Sequence, residues 1–110
     1  MKVLITGAAG VIGKILAQGL LDRHEVRGFD CSEMPELADA VVGDIGDFDQ
    51  VKLATQGMDA VIHLVNVPGG QWEQSMQSMV GTYNIFEAAL QCGVRRVAYA
   101  SRGGILPQSF

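Results

Sequence analysis

Residues 3–13 read VLITGAAGVIG and place three glycines directly after a short apolar run. A continuous apolar run of this length, ending at a glycine, is typical of a strand buried on both faces. Apolar residues then recur at helical spacing, which predicts an amphipathic helix whose apolar positions are Ile12, Ile15, Leu16 and Leu20. Gly7, Gly10 and Gly13 therefore occupy a turn that leads from a strand into a helix.

The rest of the chain alternates between predicted strands and predicted helices. Further strands are predicted at 25–30, 40–42, 60–65 and 96–101. One helix is predicted from Asp47, as its N-cap, through Val51, Leu53 and Ala54 to Gly57, and another at 72–92, with Gly93 at its C-terminal end. This alternation predicts an α/β fold with a parallel sheet, right-handed crossovers and helices on both faces.

Composition predicts one globular domain over residues 1–110, since 48% of the residues are hydrophobic and 18% are charged. The net charge of -4 and the lack of a basic stripe argue against nucleic-acid binding. No apolar run reaches the roughly 20 residues of a membrane span, and the N-terminal run is too short for a signal peptide. Cys31 and Cys92 lack metal-site spacing, so we expect reduced thiols, no metal and a cytoplasmic protein.

The glycine turn suits an anionic pyrophosphate. A helix N-terminus offers unpaired N–H groups and the positive end of the helix dipole, and a Cβ would keep the phosphate away. One glycine makes the tight turn, one allows the close approach, and one lets the helix pack on the strand. Asp30 lies at the end of the second predicted strand, 17 residues beyond Gly13. This context predicts a dinucleotide-binding site.

The stretch TGAAGVIG resembles the extended short-chain dehydrogenase/reductase family, which includes nucleotide-sugar epimerases, dehydratases and uronate dehydrogenases. The resemblance continues through GDIGD at 43–47, DAVIHLV at 59–65 and GTYNIFEAALQCGVRRVAYAS at 81–101, and it covers residues 1–106. Within the family, WEQ and GTYNIFEAA lean toward the uronate dehydrogenase branch. The resemblance implies a Rossmann-type doubly wound sheet of about five strands in the order 3-2-1-4-5.

The resemblance also implies a set of cofactor-binding residues. Asp44 and Ile45 are expected to flank the adenine, and Asp30 is expected to accept the ribose hydroxyls. Further contacts are expected from Gly7, Ala9, Gly10, Val11, Ile12, Gly13, Leu64, Val65, Asn66 and Ser101. A carboxylate at Asp30 repels a 2′-phosphate, and Arg27 points to the opposite face of its strand, so NAD is favoured over NADP.

The catalytic residues of the family are not found here. The family uses a Tyr-x-x-x-Lys pair, but Glu87 follows Tyr83 at that spacing, Gly103 follows Tyr99, and no lysine follows Lys52. The resemblance places this pair beyond residue 110 and puts Arg102 at the position of the catalytic Ser or Thr. The expected function is therefore the NAD-binding portion of an epimerase, dehydratase or dehydrogenase acting on a sugar or nucleotide sugar.

Two alternatives remain open at this stage: a non-catalytic nucleotide-sensing or regulatory module, and a structural oligomerising domain. We expect His63 to be a packed core imidazole. We also expect apolar surface at Val61, Leu64, Val97 and Tyr99 to lack part of its cover. This surface favours a homo-oligomer, formed through the 72–92 helix or the exposed sheet edge.

Overall fold

The computed structural model describes residues 1–64 and 72–100, with the side chains of the last helix from Met76 onward. Its strands are β1 (Lys2–Thr6), β2 (Glu25–Asp30), β3 (Ala40–Val42), β4 (Ala60–His63) and β5 (Arg96–Tyr99). Its helices are α1 (Val11–Leu20), α2 (Phe48–Thr55) and α3 (Trp72–Cys92). The strands pair in parallel in the order β3-β2-β1-β4-β5, which confirms the predicted Rossmann-type doubly wound sheet.

The alternation of side chains along each strand supplies two separate cores. On one face of the sheet, Leu4 packs with residues of α2 and α3 in the cluster Leu4, Phe29, Val51, Ala54, Met58, Val61, Ile85 and Ala88. On the other face, Val3 and Ile5 pack toward α1 in the cluster Val3, Ile5, Ala8, Ala17, Val26, Met34 and Ala60. Helices therefore cover both faces of the sheet, as predicted.

The buried face of α1 matches the predicted one in part, because Leu16 and Leu20 pack against the core as predicted and Ile12 and Ile15 do not. Ile12 and Ile15 are 66% and 67% exposed, whereas Gly13 and Ala17 are buried. A Cβ on Gly13 would overlap the carbonyl oxygen of Gly7, so the smallest residues of α1 lie against the turn. The neighbouring isoleucines consequently turn outward.

The fourth and fifth strands are shorter than predicted, and one expected exposure is wrong. β4 ends at His63 and β5 ends at Tyr99, and residues 65 and 101 lie outside the described ranges. Val61 is only 1% exposed because its side chain joins the core with Leu4 and Ile85. Tyr99, in contrast, is 49% exposed.

The ends of the helices follow the sequence signals. The Asp47 side chain caps α2 by accepting hydrogen bonds from the amides of Asp49 and Gln50. Gly93 follows α3 with φ +72°, a conformation that favours glycine at a helix C-terminus. Within the described ranges, the helices lack the combination of length and apolarity that a membrane crossing requires.

Candidate functional site

The carboxyl ends of the strands border a cavity of about 730 Å³. It lies where β1 has β2 on one side and β4 on the other, which is the topological switch point of a doubly wound sheet. Its walls come from the glycine turn, the ends of β2, β3 and β4, and α3. The lining residues are Gly7, Gly10, Phe29, Asp30, Cys31, Gly43, Asp44, Ile45, Gly46, Leu64, Met76, Gln77 and Val80.

The glycine turn leaves the start of α1 open. Gly7 has φ +73°, in the left-handed region, and its carbonyl accepts the amide of Gly10 at 3.1 Å. Gly10 is the N-cap of α1, with no side chain among the described residues capping it and no acid in the first helical turn. The N–H groups at the start of α1, which precede the first helical hydrogen bond from Lys14 to Gly10, therefore suit an anion, and an added Cβ on Gly10 would stand 3.3 Å from the Gly7 oxygen.

The Asp30 carboxylate lies next to the glycine turn and accepts hydrogen bonds from two backbone amides. Its Oδ2 accepts the Ala9 amide at 2.9 Å and its Oδ1 accepts the Ser32 amide at 3.0 Å. An ionised carboxylate has about four acceptor positions, so acceptor capacity remains. Arg27 lies elsewhere, since it bonds Asp39 at 3.0 Å and the Ala54 carbonyl oxygen of α2 at 2.8 Å.

The segment after β3 forms a second wall. The Asp44 carboxylate accepts the Gly46 amide at 2.8 Å, and the Asp44 amide donates to Gln50 Oε1 at 2.8 Å. The next residue, Ile45, is held from the other side by α3, where Asn84 Nδ2 donates to its carbonyl oxygen at 2.9 Å. This wall is therefore tied to both α2 and α3.

His63 is the last residue of β4, directly before the cavity-lining residue Leu64, and its side chain is fully buried. Its Nδ1 is 2.6 Å from Thr6 Oγ1 and its Nε2 is 3.2 Å from Thr82 Oγ1. Its ring stacks on Tyr99 with centroids 5.5 Å apart. Burial lowers the pKa of His63 to about 4, so the imidazole is neutral at physiological pH. The prediction of a packed, hydrogen-bonded core histidine is confirmed.

The structure brings six of the predicted site residues into the cavity wall: Gly7, Gly10, Asp30, Asp44, Ile45 and Leu64. Four others belong to the turn and the first turn of α1 without lining the cavity: Ala9, Val11, Ile12 and Gly13. Val11 is 77% exposed. The remaining three, Val65, Asn66 and Ser101, lie outside the described residues, as does Arg102.

Several lining residues were not predicted from the sequence. Phe29, Cys31, Gly43 and Gly46 adjoin predicted residues at strand ends, and the rule that carboxyl ends border the crevice could have found them. Met76, Gln77 and Val80 come from α3. No local motif marks them, because their place depends on how α3 crosses the end of the sheet.

Neither Tyr83 nor Tyr99 lines the cavity. Tyr83 is 64% exposed on α3, and Tyr99 packs against His63 and Phe86. Among residues 1–64 and 72–100, no group of three His, Cys, Asp or Glu side chains converges on a metal position.

Solved structures share this fold, and they place the chain in the short-chain dehydrogenase/reductase class. One solved member of that superfamily, from Agrobacterium tumefaciens with bound NAD, superposes with a TM-score of 0.88 and 30% identity. This chain is covered completely in that comparison, together with 35% of the solved chain.

Within that class, the chain belongs to the 3-beta hydroxysteroid dehydrogenase/isomerase family, which it matches over residues 4–108. The uronate dehydrogenase of Pseudomonas syringae pv. tomato is 36% identical, over 96% of this chain and 41% of its own length. The L-arabinose 1-dehydrogenase (NAD(P)(+)) of Haloferax volcanii is 34% identical, over 91% of this chain and 40% of its own length. The chain thus spans about two fifths of these two relatives, which are both dehydrogenases and give no support to a regulatory module.

Proposed function

We propose that this chain is the NAD-binding part of an oxidoreductase that acts on a sugar or a nucleotide sugar. The observation that supports this most strongly is that two features suited to a dinucleotide lie together at the switch point of the sheet. The uncapped start of α1 and the Asp30 carboxylate meet at one cavity of about 730 Å³. The first suits a pyrophosphate and the second suits a ribose diol.

In this proposal each wall of the cavity has a separate role. The N–H groups at the start of α1 bind the pyrophosphate, and Asp30 accepts the ribose hydroxyls. Asp44 and Ile45 flank the adenine, whereas Leu64 lies on the nicotinamide side, with Val65, Asn66 and Ser101 as further contacts. NAD, when bound, supplies or accepts the hydride at its nicotinamide ring.

The proposed substrate class follows the relatives. Those reported above are named for uronate and L-arabinose, although the family as a whole is named for steroids. Because the Tyr-x-x-x-Lys pair is not in the 110 residues, cofactor binding is the contribution proposed for this chain.

We also propose that the chain forms a homo-oligomer through α3. Large apolar side chains outside the cavity lining follow one face of this helix at spacings of three and four, and they are exposed: Met79, Tyr83, Phe86 and Leu90. A contiguous apolar patch of this kind favours a protein contact.

The Asp30→Ala variant tests the cofactor assignment. We expect it to lower NAD+ affinity by about 10- to 100-fold, since hydrogen bonds to charged groups contribute about 1.5–3 kcal/mol. NADP+ affinity should fall less, because the variant also removes a charge that repels the 2′-phosphate. Isothermal titration calorimetry measures both.

The matched control is Asp39→Ala. It removes a carboxylate of the same kind that pairs with Arg27 at the surface, at 3.0 Å, away from the cavity. We expect this control to leave affinity for both cofactors unchanged. An equal loss of NAD+ and NADP+ affinity in Asp30→Ala would refute the ribose role.

A further inference from the structure

Two residues of α3 contact the same wall residue of the cavity. Asn84 Nδ2 donates to the carbonyl oxygen of Ile45 at 2.9 Å, and the Asn84 side chain is only 5% exposed. One helical turn earlier, Gly81 faces the Ile45 side chain, and a Cβ at Gly81 would stand 2.9 Å from Ile45 Cγ2. Residues three apart share one face of a helix, so α3 holds both the backbone and the side chain of Ile45.

Ile45 lies in the short connection between β3 and α2, where Asp44 bonds the Gly46 amide and Asp47 caps the next helix. Its side chain packs against the core cluster that includes Ile85 of α3. Its carbonyl oxygen accepts the hydrogen bond from Asn84, which ties the backbone of this wall to the same helix.

A glycine and an asparagine in the middle of a helix need an explanation. Both are weaker helix formers than alanine, so α3 would be more stable alone without them. At Gly81 the missing Cβ makes room for Ile45, and at Asn84 the amide satisfies a carbonyl that would otherwise be left unpaired next to buried residues. Both residues are therefore explained by the contact between α3 and Ile45.

We propose that Asn84 is a positioning residue for the adenine end of the cofactor, acting through Ile45, with Gly81 providing the space for that contact. This inference rests on the proposed NAD-binding function. Asn84 does not line the cavity, so it acts by fixing the wall and not by touching the ligand.

The test compares three variants with the wild-type chain. Asn84→Leu keeps the approximate shape and removes the donor. Gly81→Ala adds the Cβ that displaces Ile45, while it favours the helix itself. Thr55→Val serves as the control, because it removes a buried hydroxyl whose hydrogen bond to the Val51 carbonyl, at 2.7 Å, lies within α2.

The ligands are NAD+, ADP-ribose and nicotinamide mononucleotide, and unfolding is measured in parallel. We expect Asn84→Leu and Gly81→Ala to weaken NAD+ and ADP-ribose by a similar factor of about 5 to 20, with nicotinamide mononucleotide unchanged. A single lost hydrogen bond, or a wall displaced by a few tenths of an ångström, accounts for a loss of that order. Thr55→Val should lower stability and leave all three affinities within twofold.

A spectroscopic readout separates positioning from general destabilisation. The emission of bound etheno-NAD, whose adenine is fluorescent, should change in Asn84→Leu and Gly81→Ala and stay at the wild-type value in Thr55→Val. Unchanged ADP-ribose affinity in a folded Asn84→Leu or Gly81→Ala variant would overturn the inference, as would an equal loss in Thr55→Val. If the wild-type chain bound neither NAD+ nor ADP-ribose, the proposed function itself would fail and the inference with it.

Discussion

At the scale of single residues, His63 is held by hydrogen bonds at both ring nitrogens. Its Nδ1 pairs with Thr6 Oγ1, which also accepts the Leu64 amide at 3.1 Å, and its Nε2 pairs with Thr82 Oγ1. A hydroxyl can both donate and accept, so both partners suit a neutral imidazole. The neutral imidazole thus joins β1, β4 and α3.

This arrangement makes stability depend on pH. The folded-state pKa of His63 is about 4, below the ordinary value of 6.5, so between these values the unfolded chain binds a proton that the folded chain does not. Stability is therefore lost as pH falls from 6.5 toward 4, by about 3 kcal/mol in all for this group. Urea unfolding between pH 7.5 and 4.5 should show a smaller loss in His63→Asn than in the wild-type chain.

The control for this prediction is Thr55→Val, which removes a buried hydroxyl and no titratable group. It should lower the unfolding free energy by a similar amount at every pH and so keep the wild-type dependence on pH. A His63→Asn chain with the same dependence as the wild-type chain would contradict a buried neutral imidazole.

Single residues with strong local constraints could be predicted from the sequence. The positions of Gly7 and Gly10 at the cavity and of Asp30 at its rim follow from the strand–turn–helix pattern. The hydrogen bond that the Ala9 amide donates to Asp30 could not be predicted, because it depends on how far β2 extends alongside the glycine turn. The contact of Asn84 with Ile45 joins residues 39 positions apart and has no local signal.

At the scale of elements, α3 has two different faces. Ile85, Ala88 and Ala89 are buried against the sheet and α2, whereas Met79, Tyr83 and Leu90 are 66%, 64% and 76% exposed. An amphipathic helix normally exposes polar residues, so this second face suits a protein contact.

Charge placed on this face should abolish the proposed self-association. We expect the wild-type chain to sediment as a species larger than a monomer, and the double variant Tyr83→Glu, Leu90→Glu to sediment as a monomer. Its unfolding free energy should stay within about 0.5 kcal/mol per site, since both side chains are exposed.

Ile15→Glu on α1 is the matched control. It also replaces an exposed apolar side chain, at 67% exposure, but on another helix. We expect it to keep the wild-type sedimentation behaviour. A monomeric wild-type chain at high concentration would contradict the proposed contact.

Element types were more predictable than element faces. Alternating strand and helix patterns predicted the type of all eight elements found in residues 1–64 and 72–100, because each pattern is local. The rotation of α1 was not predicted, since hydrophobic periodicity favoured Ile12 and Ile15 while steric contact favours Gly13 and Ala17. The contribution of Met76, Gln77 and Val80 of α3 to the cavity wall likewise depends on tertiary packing, which no local sequence pattern predicts.

At the scale of the whole molecule, the order β3-β2-β1-β4-β5 creates the cavity. The chain leaves β1 in one direction for β2 and β3, and later returns to the other side of β1 for β4 and β5. The helices that follow β1 and β4, α1 and α3, therefore pack on opposite faces of the sheet, and the site is the crevice at the carboxyl ends of the strands.

Two glycine variants test whether a ligand binds at the start of α1. Gly10→Ala places a Cβ at the start of α1, and Gly19→Ala places one where no atom lies within 4 Å. The first should weaken a ligand held by the turn, and the second should leave binding unchanged and favour the helix by about 0.5–1 kcal/mol.

The most direct measurement of the central claim is a calorimetric titration of the wild-type chain with NAD+ and, separately, with NADP+. We expect saturable binding of NAD+, with a clear preference over NADP+, which Gly10→Ala weakens and Gly19→Ala does not. A folded chain that binds neither dinucleotide would contradict the proposed NAD site.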